Sequence, residues 1–588
     1  MRLRAAWIAA LALVLVAPRP VRADDDESPL AGLSGARAHE YAKEIAAPGM
    51  KGRKTGFEGG RLIEEYLQSK LGELGLDPMD RDGIYLQNFS FGATQVEPPI
   101  GLTVGGEAAA YGKDFVDLLY TGAATVEGEV VFVGYGIRAK DRGRDDYDGV
   151  DVKGKVVLAL RGAPASRDAE FAVERQIGWK SALAAELGAA AFLVCEGSTA
   201  IPGTIQEKFH RPGLPALWVT SAVADRILAA RCRTLADLKA SRDAGDPGRS
   251  FACGTTAKVE VHGRFEPRAP GRNAMAGFHG KDPDVRGEVI IVGAHMDHLG
   301  TDANGRVFPG ADDNGSGSAT LLLLAETLKK NRWRPRRTVV FVWFAGEEQG
   351  LVGSKHLVED LPFPCTGIAA VLNMDMTGQG KPEVALGGGE GYPALFAKMK
   401  AFVPEADRAL LKPFRVEGNS DHWPFYERGI PAFFALTQGE HPNYHQVGDV
   451  PENLKPECLE AAARVVGSIL VGLGEDPTPL VTDRVVPSFV LREGARVVEG
   501  AGSAKAMGAV LTAPKGATVD RAPSQAAGHA AVVLAVDDAG DAAVALARVR
   551  EGARARPADA VVVATASDLV NAARGGRTAI VPRLHCAR

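Results

Sequence analysis

The chain of 588 residues has little cysteine, no excess of basic charge and only one long apolar run, and each shortage excludes a class of protein. Its six cysteines, none in a CxxC spacing, are too few for a disulfide scaffold and argue against thiolate metal sites. In an oxidising compartment, Cys232 could pair with Cys253, and Cys365 with Cys458. The formal net charge of −5 leaves no broad basic surface, so we expect no nucleic-acid partner.

The one long apolar run lies near the N-terminus, at residues 5–17, between two arginines and a short stretch that ends at Ala23. This pattern predicts a signal peptide at residues 1–23 that is cleaved after Ala23. The run is shorter than the ~20 residues needed to cross a bilayer, although an uncleaved anchor is the alternative interpretation. No later segment looks long and uncharged enough to span a membrane, so we expect a secreted or periplasmic protein.

A chain of this length is too long for one hydrophobic core, and it divides into parts of different texture. The first part, 24–112, contains apolar residues at helical spacing in 60–76, which predicts an amphipathic helix. Between 113 and 250, short β-branched runs alternate with turns and one Ala-rich helix, predicted at Phe171–Leu187. This alternation predicts a small β-rich module inserted into a larger domain.

The larger domain resumes at 251–475, where strand, loop and helix alternate. Such alternation predicts an α/β fold with a mostly parallel sheet and helices on both faces. Its predicted strands and helices are Glu288–Gly293, Ala319–Lys330, Thr338–Phe344, Ser354–Asp360 and Ala369–Met374. The last part, 476–588, contains no motif, and its pattern predicts a small α/β segment with strands at 531–536 and 560–565 and helices at 542–550 and 568–573.

Acidic residues and histidines recur in five motifs of the larger domain, nearly all of them directly after an apolar run. The motifs are GAHMDHLG (293–300), GADDNGSG (310–317), FAGEEQG (344–350), NMDMTG (373–378) and NYHQVGD (443–449). Because ligands gather at the carboxyl ends of parallel strands, we expect these motifs to meet at one edge of the sheet.

Each motif taken singly has an ordinary structural interpretation. A His-x-Asp pair is usually a structural hydrogen bond, paired glutamates usually lie on a solvated helix face, and Asp-Asp before Asn-Gly is typical of a turn with an N-cap. If no shared site existed, every one of the five motifs at this sheet edge would need its own separate structural role. A shared site is therefore the better hypothesis.

The residue types and their number match a site for two divalent metal ions. Two such ions about 3.5–4 Å apart need one bridging carboxylate and further ligands on either side. We predict Asp313 as the bridge, with His295 and Asp375 on one ion and Glu348 and His445 on the other. Nitrogen and oxygen ligands without thiolates suit two Zn²⁺ ions, with Co²⁺ or Mn²⁺ as substitutes.

Glu347 and Asp297 are left without a metal in this arrangement. Glu347 lies next to a predicted ligand, where it can take a proton from a metal-bound water and pass it to a leaving amine. Asp297 follows His295 by two residues and points to the same side of an extended strand, so it can orient the imidazole. The alternative for Asp297 is a capping carboxylate of the following loop.

The motifs resemble those of the co-catalytic zinc exopeptidase family, which includes secreted bacterial aminopeptidases and glutamate carboxypeptidase II. The similar stretches cover most of 285–455 in the family's order: VGAHMDHLG, GADDNGSGSA, FVWFAGEEQGLVGS, VLNMDMTG, NSDHWPFYERGIP and YHQVGD. Residues 113–235, with YGI and DYDGVDVKGKVVLALRG, resemble the protease-associated domain that such enzymes often carry.

The resemblance implies the same five metal ligands and Glu347 as the general base. It further implies that the peptide bond after Asp313 is cis, and that Tyr444 helps to stabilise the oxyanion of the reaction. The stretch Ser420-Asp421-His422 is similar to a family motif near the substrate cleft.

The sequence therefore predicts a secreted dinuclear zinc aminopeptidase, which hydrolyses the N-terminal peptide bond of peptides with a metal-bridging hydroxide and a glutamate base. A carboxypeptidase on the same scaffold needs guanidinium groups for a terminal carboxylate, and Arg415 and Arg428 are weak candidates. A glutaminyl cyclase usually works with one metal ion. A receptor-like homologue without activity is the alternative of a different class, and the complete ligand set argues against it.

Overall fold

The structure is a computed structural model that describes residues 28–80, 82–118, 120–195, 209–244 and 249–478, together with five strands beyond them. The predicted signal peptide and the helices predicted at 542–550 and 568–573 lie outside the described residues. None of the helices that the structure describes is long and apolar enough to cross a membrane.

The first part of the chain supplies two helices and three strands. They are α1 (Gly35–Ile45), α2 (Glu58–Glu73), β1 (Asp77–Pro78), β2 (Leu86–Val104) and β3 (Glu107–Ala108). The amphipathic helix predicted within 60–76 is α2, which buries Ile63, Leu67 and Leu71. Gly75 follows with a φ of 65°, a left-handed conformation that glycine adopts without strain and that commonly ends a helix.

The inserted module is a mixed sheet with three helices. Its elements are β4 (Phe115–Asp117), β5 (Ala124–Phe132), β6 (Arg138–Ala139), β7 (Arg144–Asp145), β8 (Val156–Leu160), α3 (Ile177–Glu186), β9 (Ala191–Cys195), β10 (Ala216–Val219), α4 (Ser221–Leu228) and α5 (Leu235–Asp243). The four strands β5, β8, β9 and β10 are parallel, and β4 pairs antiparallel with β10.

One prediction for this region is wrong. The Ala-rich helix begins at Ile177 rather than Phe171, and residues Ala165–Phe171 form a separate 3-10 helix. The carbonyl of Glu170, which an α-helix from Phe171 would use for its own first backbone hydrogen bond, accepts a hydrogen bond from Arg142 at 2.6 Å. The two cysteine pairings that the sequence left open, one here and one in the larger domain, are not formed. Cys253 is buried in the core of the module whereas Cys232 is exposed, and Cys365 is likewise unpaired with Cys458.

The larger domain contains nine strands and five helices in the described part of the chain after residue 249. They are β11 (Phe251–Phe278), β12 (Glu288–His295), β13 (Gly300–Thr301), β14 (Val307–Phe308), α6 (Gly317–Lys330), β15 (Val339–Phe344), α7 (Val352–Glu359), β16 (Gly367–Met374), β17 (Lys381–Gly387), α8 (Pro393–Phe402), β18 (Leu411–Phe414), α9 (Trp423–Glu427), β19 (Ala432–Gln438) and α10 (Pro456–Glu475).

The centre of this domain is parallel and covered on both faces, as predicted. Strand β12 lies between β15 and β16, and β16 pairs with β19, all of them parallel. Alternate residues of β12 point to opposite faces: Ile290 packs with α6 and α10, whereas Ile291 packs with α7 and α9. The strand is therefore apolar along its whole length, which is typical of a sheet buried on both sides.

One long strand joins the module to the domain. The first half of β11 pairs with β5 of the module, and its last residues pair with β15 of the domain, both antiparallel. Together with β2, it makes the two sheets one sheet of 15 strands.

The last part of the chain contributes five described strands. They are β20 (Ser488–Glu493), β21 (Arg496–Ala501), β22 (Thr518–Asp520), β23 (Val532–Val536) and β24 (Val561–Thr565). Strand β20 pairs antiparallel with β21 and β22, and β23 is parallel to β24.

Candidate metal centre

The five predicted ligands meet at one edge of the sheet and are buried there. His295 is the last residue of β12, and Asp375 directly follows β16. Glu348 lies in the loop after β15, Asp313 in the turn before α6, and His445 in the loop after β19. These strands are parallel, so their carboxyl ends lie side by side and bring together residues that are far apart in the sequence. We refer to these five residues as the acid–histidine cluster.

Asp313 lies at the centre of the cluster, with an imidazole on each side of its carboxylate. Its Oδ1 is 3.3 Å from His295 Nε2, and its Oδ2 is 3.1 Å from His445 Nε2. His295 Nε2 is also 3.4 Å from Asp375 Oδ1, and His445 Nε2 is 3.2 Å from Glu348 Oε2. The cluster thus has two halves that share one carboxylate, which is the arrangement that a pair of bridged metal ions requires.

Some carboxylate oxygens of the cluster lack a hydrogen bond within the protein and are available to bind metal ions. In the described part of the chain, Asp313 Oδ2 and Asp375 Oδ1 are buried 3.1 Å and 3.4 Å from an imidazole nitrogen, but in a geometry that makes no hydrogen bond. Such an atom is costly in a protein interior unless a cation or donor satisfies it. Atoms of His295, Asp313 and Asp375 lie within 4.8 Å of one another, as do atoms of His298, Asp313 and Glu348. Each set surrounds a volume in which one ion can bind nitrogen and oxygen ligands.

The electrostatics of the cluster agree with a cation site. Burial alone would raise the pKa of Glu348, but His445 and other imidazoles lower it to about 2. Burial likewise opposes the charged form of His445, but the carboxylates of Glu348 and Asp313 raise its pKa to about 10. The negative charges of the carboxylates therefore attract a positive charge into the cluster, and a proton on an imidazole takes that role when no metal is present.

Glu347 is buried beside the cluster. Burial raises the pKa of the Glu347 carboxyl well above its usual range, and the negative charges of Glu348, Asp421 and Asp375 raise it further. A carboxyl in such surroundings binds a proton more readily than a free glutamate does, which is the property of a general base.

The carboxylate of Asp297 contacts the loop of Glu347 and Glu348 more closely than it contacts the imidazole of His295. Its Oδ1 accepts a hydrogen bond from the backbone N–H of Glu347 at 3.1 Å, and its Oδ2 accepts one from Glu348 at 3.3 Å. The predicted contact with the imidazole of His295 is longer, with 3.6 Å between Asp297 Oδ1 and Nδ1. Asp297 therefore connects the loops after β12 and β15.

Tyr444 and His445 adopt an unusual local arrangement. The Tyr444 ring stacks on the His445 imidazole, and the two ring centroids are 3.9 Å apart. Tyr444 is 39% exposed to solvent. His445 has a φ of 56°, a conformation that non-glycine residues rarely adopt outside special sites. Tyr444 thus lies at the open side of the cluster, where a ligand entering from solvent would meet it.

The peptide bond between Asp313 and Asn314 is cis, as the family resemblance implies. Three further residues contact the cluster or its backbone and are not among the predicted ligands or catalytic residues. His298 Nδ1 lies 2.8 Å from Glu348 Oε1, and its position in the first motif was the available signal. Ser420 Oγ donates to Asp375 Oδ2 at 2.7 Å. Asp449 accepts hydrogen bonds from the backbone N–H groups of Asp312 and Asp313, so it orients the bridging residue through the main chain.

The stretch around Asp421 lies beside the cluster, as the resemblance implies. Asp421 is fully buried, and burial raises its pKa to about 7. His422 is also buried, with a pKa lowered to about 4 by burial, and its Nε2 lies 2.8 Å from the carbonyl of Glu417.

Comparison with known proteins agrees with this architecture. Residues 273–470 match peptidase family M28, and residues 126–227 match the PA domain. The chain therefore contains an M28 peptidase domain preceded by an inserted PA domain, which confirms the predicted resemblance. All five residues of the acid–histidine cluster lie within the M28 match.

Several curated proteins are similar to this chain in sequence. A probable leucine aminopeptidase of Arthroderma otae is 31% identical over 211 residues, which are 32% of this chain and 57% of the relative. Leupeptin-inactivating enzyme 1 of Streptomyces exfoliatus is 33% identical over 195 residues, which are 31% of this chain and 39% of the relative. The alignments thus span about half the length of these relatives.

Two solved structures share the fold. An aminopeptidase from Aneurinibacillus sp. strain AM-1 has a TM-score of 0.57 and 22% identity, over 77% of this chain and 97% of the other. The zinc aminopeptidase BSAP from Bacillus subtilis has a TM-score of 0.55 and 19% identity, over 76% of this chain and 96% of the other. The fold of the PA and M28 parts together is therefore an established one.

Proposed function

We propose that this protein is an aminopeptidase with two zinc ions, which removes residues from the free N-terminus of peptides. The observation that carries the proposal is the shared carboxylate of Asp313, with His295 on one of its oxygens and His445 on the other. The M28 match and the names of the curated relatives support the same activity.

The acid–histidine cluster would hold the two ions. His295 and Asp375 would bind one ion, Glu348 and His445 the other, and Asp313 would bridge them. We assign His445 rather than His298 to the second ion, because His445 Nε2 faces both Asp313 and Glu348 whereas His298 contacts mainly Glu348. Zinc in such a site lowers the pKa of a bound water to about 7 and polarises a substrate carbonyl.

The remaining residues of the site would move the proton and orient the reactants. Glu347 accepts the proton of the attacking water and passes it to the nitrogen of the leaving amine. Burial raises the pKa of Glu347, whereas two bound cations would lower it, so the carboxylate would be ionised in the loaded site and able to accept that proton before passing it on. Tyr444, at the open side of the cluster, would donate its hydroxyl proton toward the carbonyl oxygen as negative charge develops there.

The structure favours an aminopeptidase over a carboxypeptidase. Arg428 donates to Glu359 at 2.8 Å and to the carbonyl of Pro424, so its guanidinium is engaged on the protein surface. Arg415 is exposed after β18. Neither of these two arginines, which were the candidates for gripping a terminal carboxylate, contacts the cluster.

The test combines a panel of substrates with a single substitution. The purified protein should hydrolyse aminoacyl chromogenic substrates, and the same substrates with a blocked amine should react at least a hundredfold more slowly. Glu347→Gln should lower kcat by about 10²–10⁴-fold, the usual contribution of a general base, while the zinc content measured by elemental analysis stays at two ions per chain.

The matched control for this substitution is Glu359→Gln, because Glu359 lies on the surface at the end of α7 and is 63% exposed. It should retain the activity of the parent protein. Rapid hydrolysis by Glu347→Gln would remove Glu347 from the mechanism, and cleavage of C-terminal residues from blocked peptides would favour the carboxypeptidase instead.

We also propose that the protein is exported, on the basis of the charged and apolar pattern of residues 1–23. The N-terminal sequence of the mature protein should then begin at Asp24. A mature protein that begins at Met1 would contradict cleavage.

A further inference from the structure

The segment between the first two ligands of the cluster is long and has little regular structure of its own. It runs from His295 at the end of β12 to Asp313 before α6, and its only strands are the two-residue β13 and β14. Since the cluster requires His295 and Asp313 within 3.3 Å of each other, both ends of this segment must be held in place.

Arg53 contacts both ends of the segment. Its side chain is fully buried, and its Nε donates to the carbonyl of Met296 at 2.7 Å. Its Nη2 donates to the carbonyl of Gly310 at 2.7 Å, and its Nη1 donates to the carbonyl of Pro309. One guanidinium therefore links the residue after the first ligand to residues just before the second.

The backbone from Lys51 to Arg53 adopts a left-handed conformation that residues other than glycine rarely adopt. Lys51, Gly52 and Arg53 have φ values of 50°, 64° and 54°, all in the left-handed region. Two of these residues are not glycines, and their Cβ atoms make this region sterically unfavourable for them. The strain persists because the surrounding contacts determine the position of the turn.

Gly52 shows how closely the turn approaches the segment. A Cβ atom at this position would lie 2.2 Å from the carbonyl oxygen of Gly300 and 2.6 Å from that of Phe308. Only glycine fits here, so the turn that carries Arg53 packs directly against the middle of the segment as well as its ends.

The positive charge of Arg53 is directed at backbone carbonyls of the segment and not at the carboxylates of the cluster. Among the described residues, no carboxylate lies within salt-bridge distance of it, and its partners are backbone carbonyls. Burial lowers its pKa to about 10, and the carboxylates of Asp297, Asp449 and Asp313 oppose that fall. Arg53 thus remains charged at neutral pH and binds to the main chain of the segment without competing for the ligand oxygens.

We propose that Arg53 is a positioning residue of the metal site, which sets the separation of His295 and Asp313 by fixing the main chain on both sides of the segment. This inference rests on the proposed function, since it assigns Arg53 to the zinc-binding geometry of that same site. A residue that only stabilises the fold would affect the free energy of unfolding, whereas a positioning residue would also affect zinc affinity.

Arg337 provides a matched control. It is also a fully buried arginine, and it donates to the carbonyl of Leu473 at 2.9 Å and pairs with Glu288. Its contacts lie at the opposite end of β12 from His295, so it shares the burial and the carbonyl contacts of Arg53 but not the neighbourhood of the cluster.

The experiment measures the zinc affinity of the full-length protein by competition with a chromogenic chelator, and the unfolding of the zinc-free protein by denaturant. Lysine carries its donors on one nitrogen and cannot replace contacts made from three separate nitrogens of Arg53. Arg53→Lys should therefore weaken zinc binding by about 10–100-fold, the usual effect of altering residues that orient metal ligands. Arg337→Lys should reduce resistance to denaturant but leave zinc affinity within about twofold of the parent protein.

A second variant tests the same contact from the backbone. Gly52→Ala should push the turn away from Gly300 and Phe308, and it should weaken zinc binding as Arg53→Lys does. Parent-like zinc affinity in a folded Arg53→Lys or Gly52→Ala protein would overturn the inference. If neither variant folds while Arg337→Lys does, Arg53 belongs to the fold rather than to the site, and the inference is equally wrong. Failure of the parent protein to bind zinc would instead reject the proposed function.

Discussion

At the scale of single residues, the side chains that touch the proposed metal ligands matter as much as the ligands themselves. Ser420 acts on Asp375 alone: its hydroxyl donates to the Oδ2 atom and leaves Oδ1 facing His295. Asn373 in turn donates to the Ser420 hydroxyl at 2.9 Å. This chain of two hydrogen bonds selects which oxygen of Asp375 is available to a metal ion.

We therefore predict that Ser420→Ala weakens zinc binding by about 10–100-fold, because Asp375 loses the donor that orients it. The measurement is the zinc dissociation constant at fixed pH, and the control is Ser468→Ala, at a buried serine of α10, a helix that carries none of the five cluster residues. Equal zinc affinities for the two variants would show that Asp375 is oriented without Ser420.

At the scale of elements, the position of the cluster depends on the helices α1, α6 and α10, which pack on one face of the sheet. Helix α10 packs on α6 and α1, and its residues Leu470 and Ile469 are fully buried in the same core as Ile290 of β12. The position of the strand ends, and hence of the ligands, therefore depends on a core formed by residues far from the site.

Truncation of that core should lower stability without altering the chemistry. Leu470→Ala should reduce the free energy of unfolding by about 2–5 kcal/mol, the usual cost of a cavity at a buried leucine. Denaturant unfolding measures this change, and Glu457→Ala on the exposed side of the same helix should change it by less than about 1 kcal/mol. A loss below about 1 kcal/mol for Leu470→Ala would mean that the core fills the cavity.

At the scale of the whole molecule, the two domains share a sheet and the metal site lies beside their junction. Phe308 and Leu299, in the segment between the first two ligands, are buried in a core of the inserted module with Trp218. The module therefore supports a part of the peptidase domain that leads to Asp313. The metal site and the stability of the chain are linked through this contact.

Removal of zinc should accordingly destabilise the folded protein. The cluster holds several buried carboxylates close together, and an ion that binds only the folded state stabilises it by about 2.7 kcal/mol at a hundredfold excess over Kd. We expect a chelator to lower Tm by several degrees in a thermal scan and added zinc to restore it. Asp313→Asn should have a Tm that a chelator does not change, and a chelator-insensitive Tm in the parent protein would contradict a bound metal.

The amino-acid sequence by itself determined the class of fold and the group of candidate ligands. Apolar runs of strand length followed by His295 or Asp375 predict strand ends, and the order of the motifs predicts their shared edge. These features are local, since they depend on hydrophobic periodicity and on residues adjacent to it.

The tertiary structure alone decided which groups surround the ligands. Ser420 reaches Asp375 across 45 positions, and Arg53 reaches Met296 across 243. Contacts of this kind have no periodicity in the sequence, because they are set by how separate elements pack and by the need to satisfy every buried polar group.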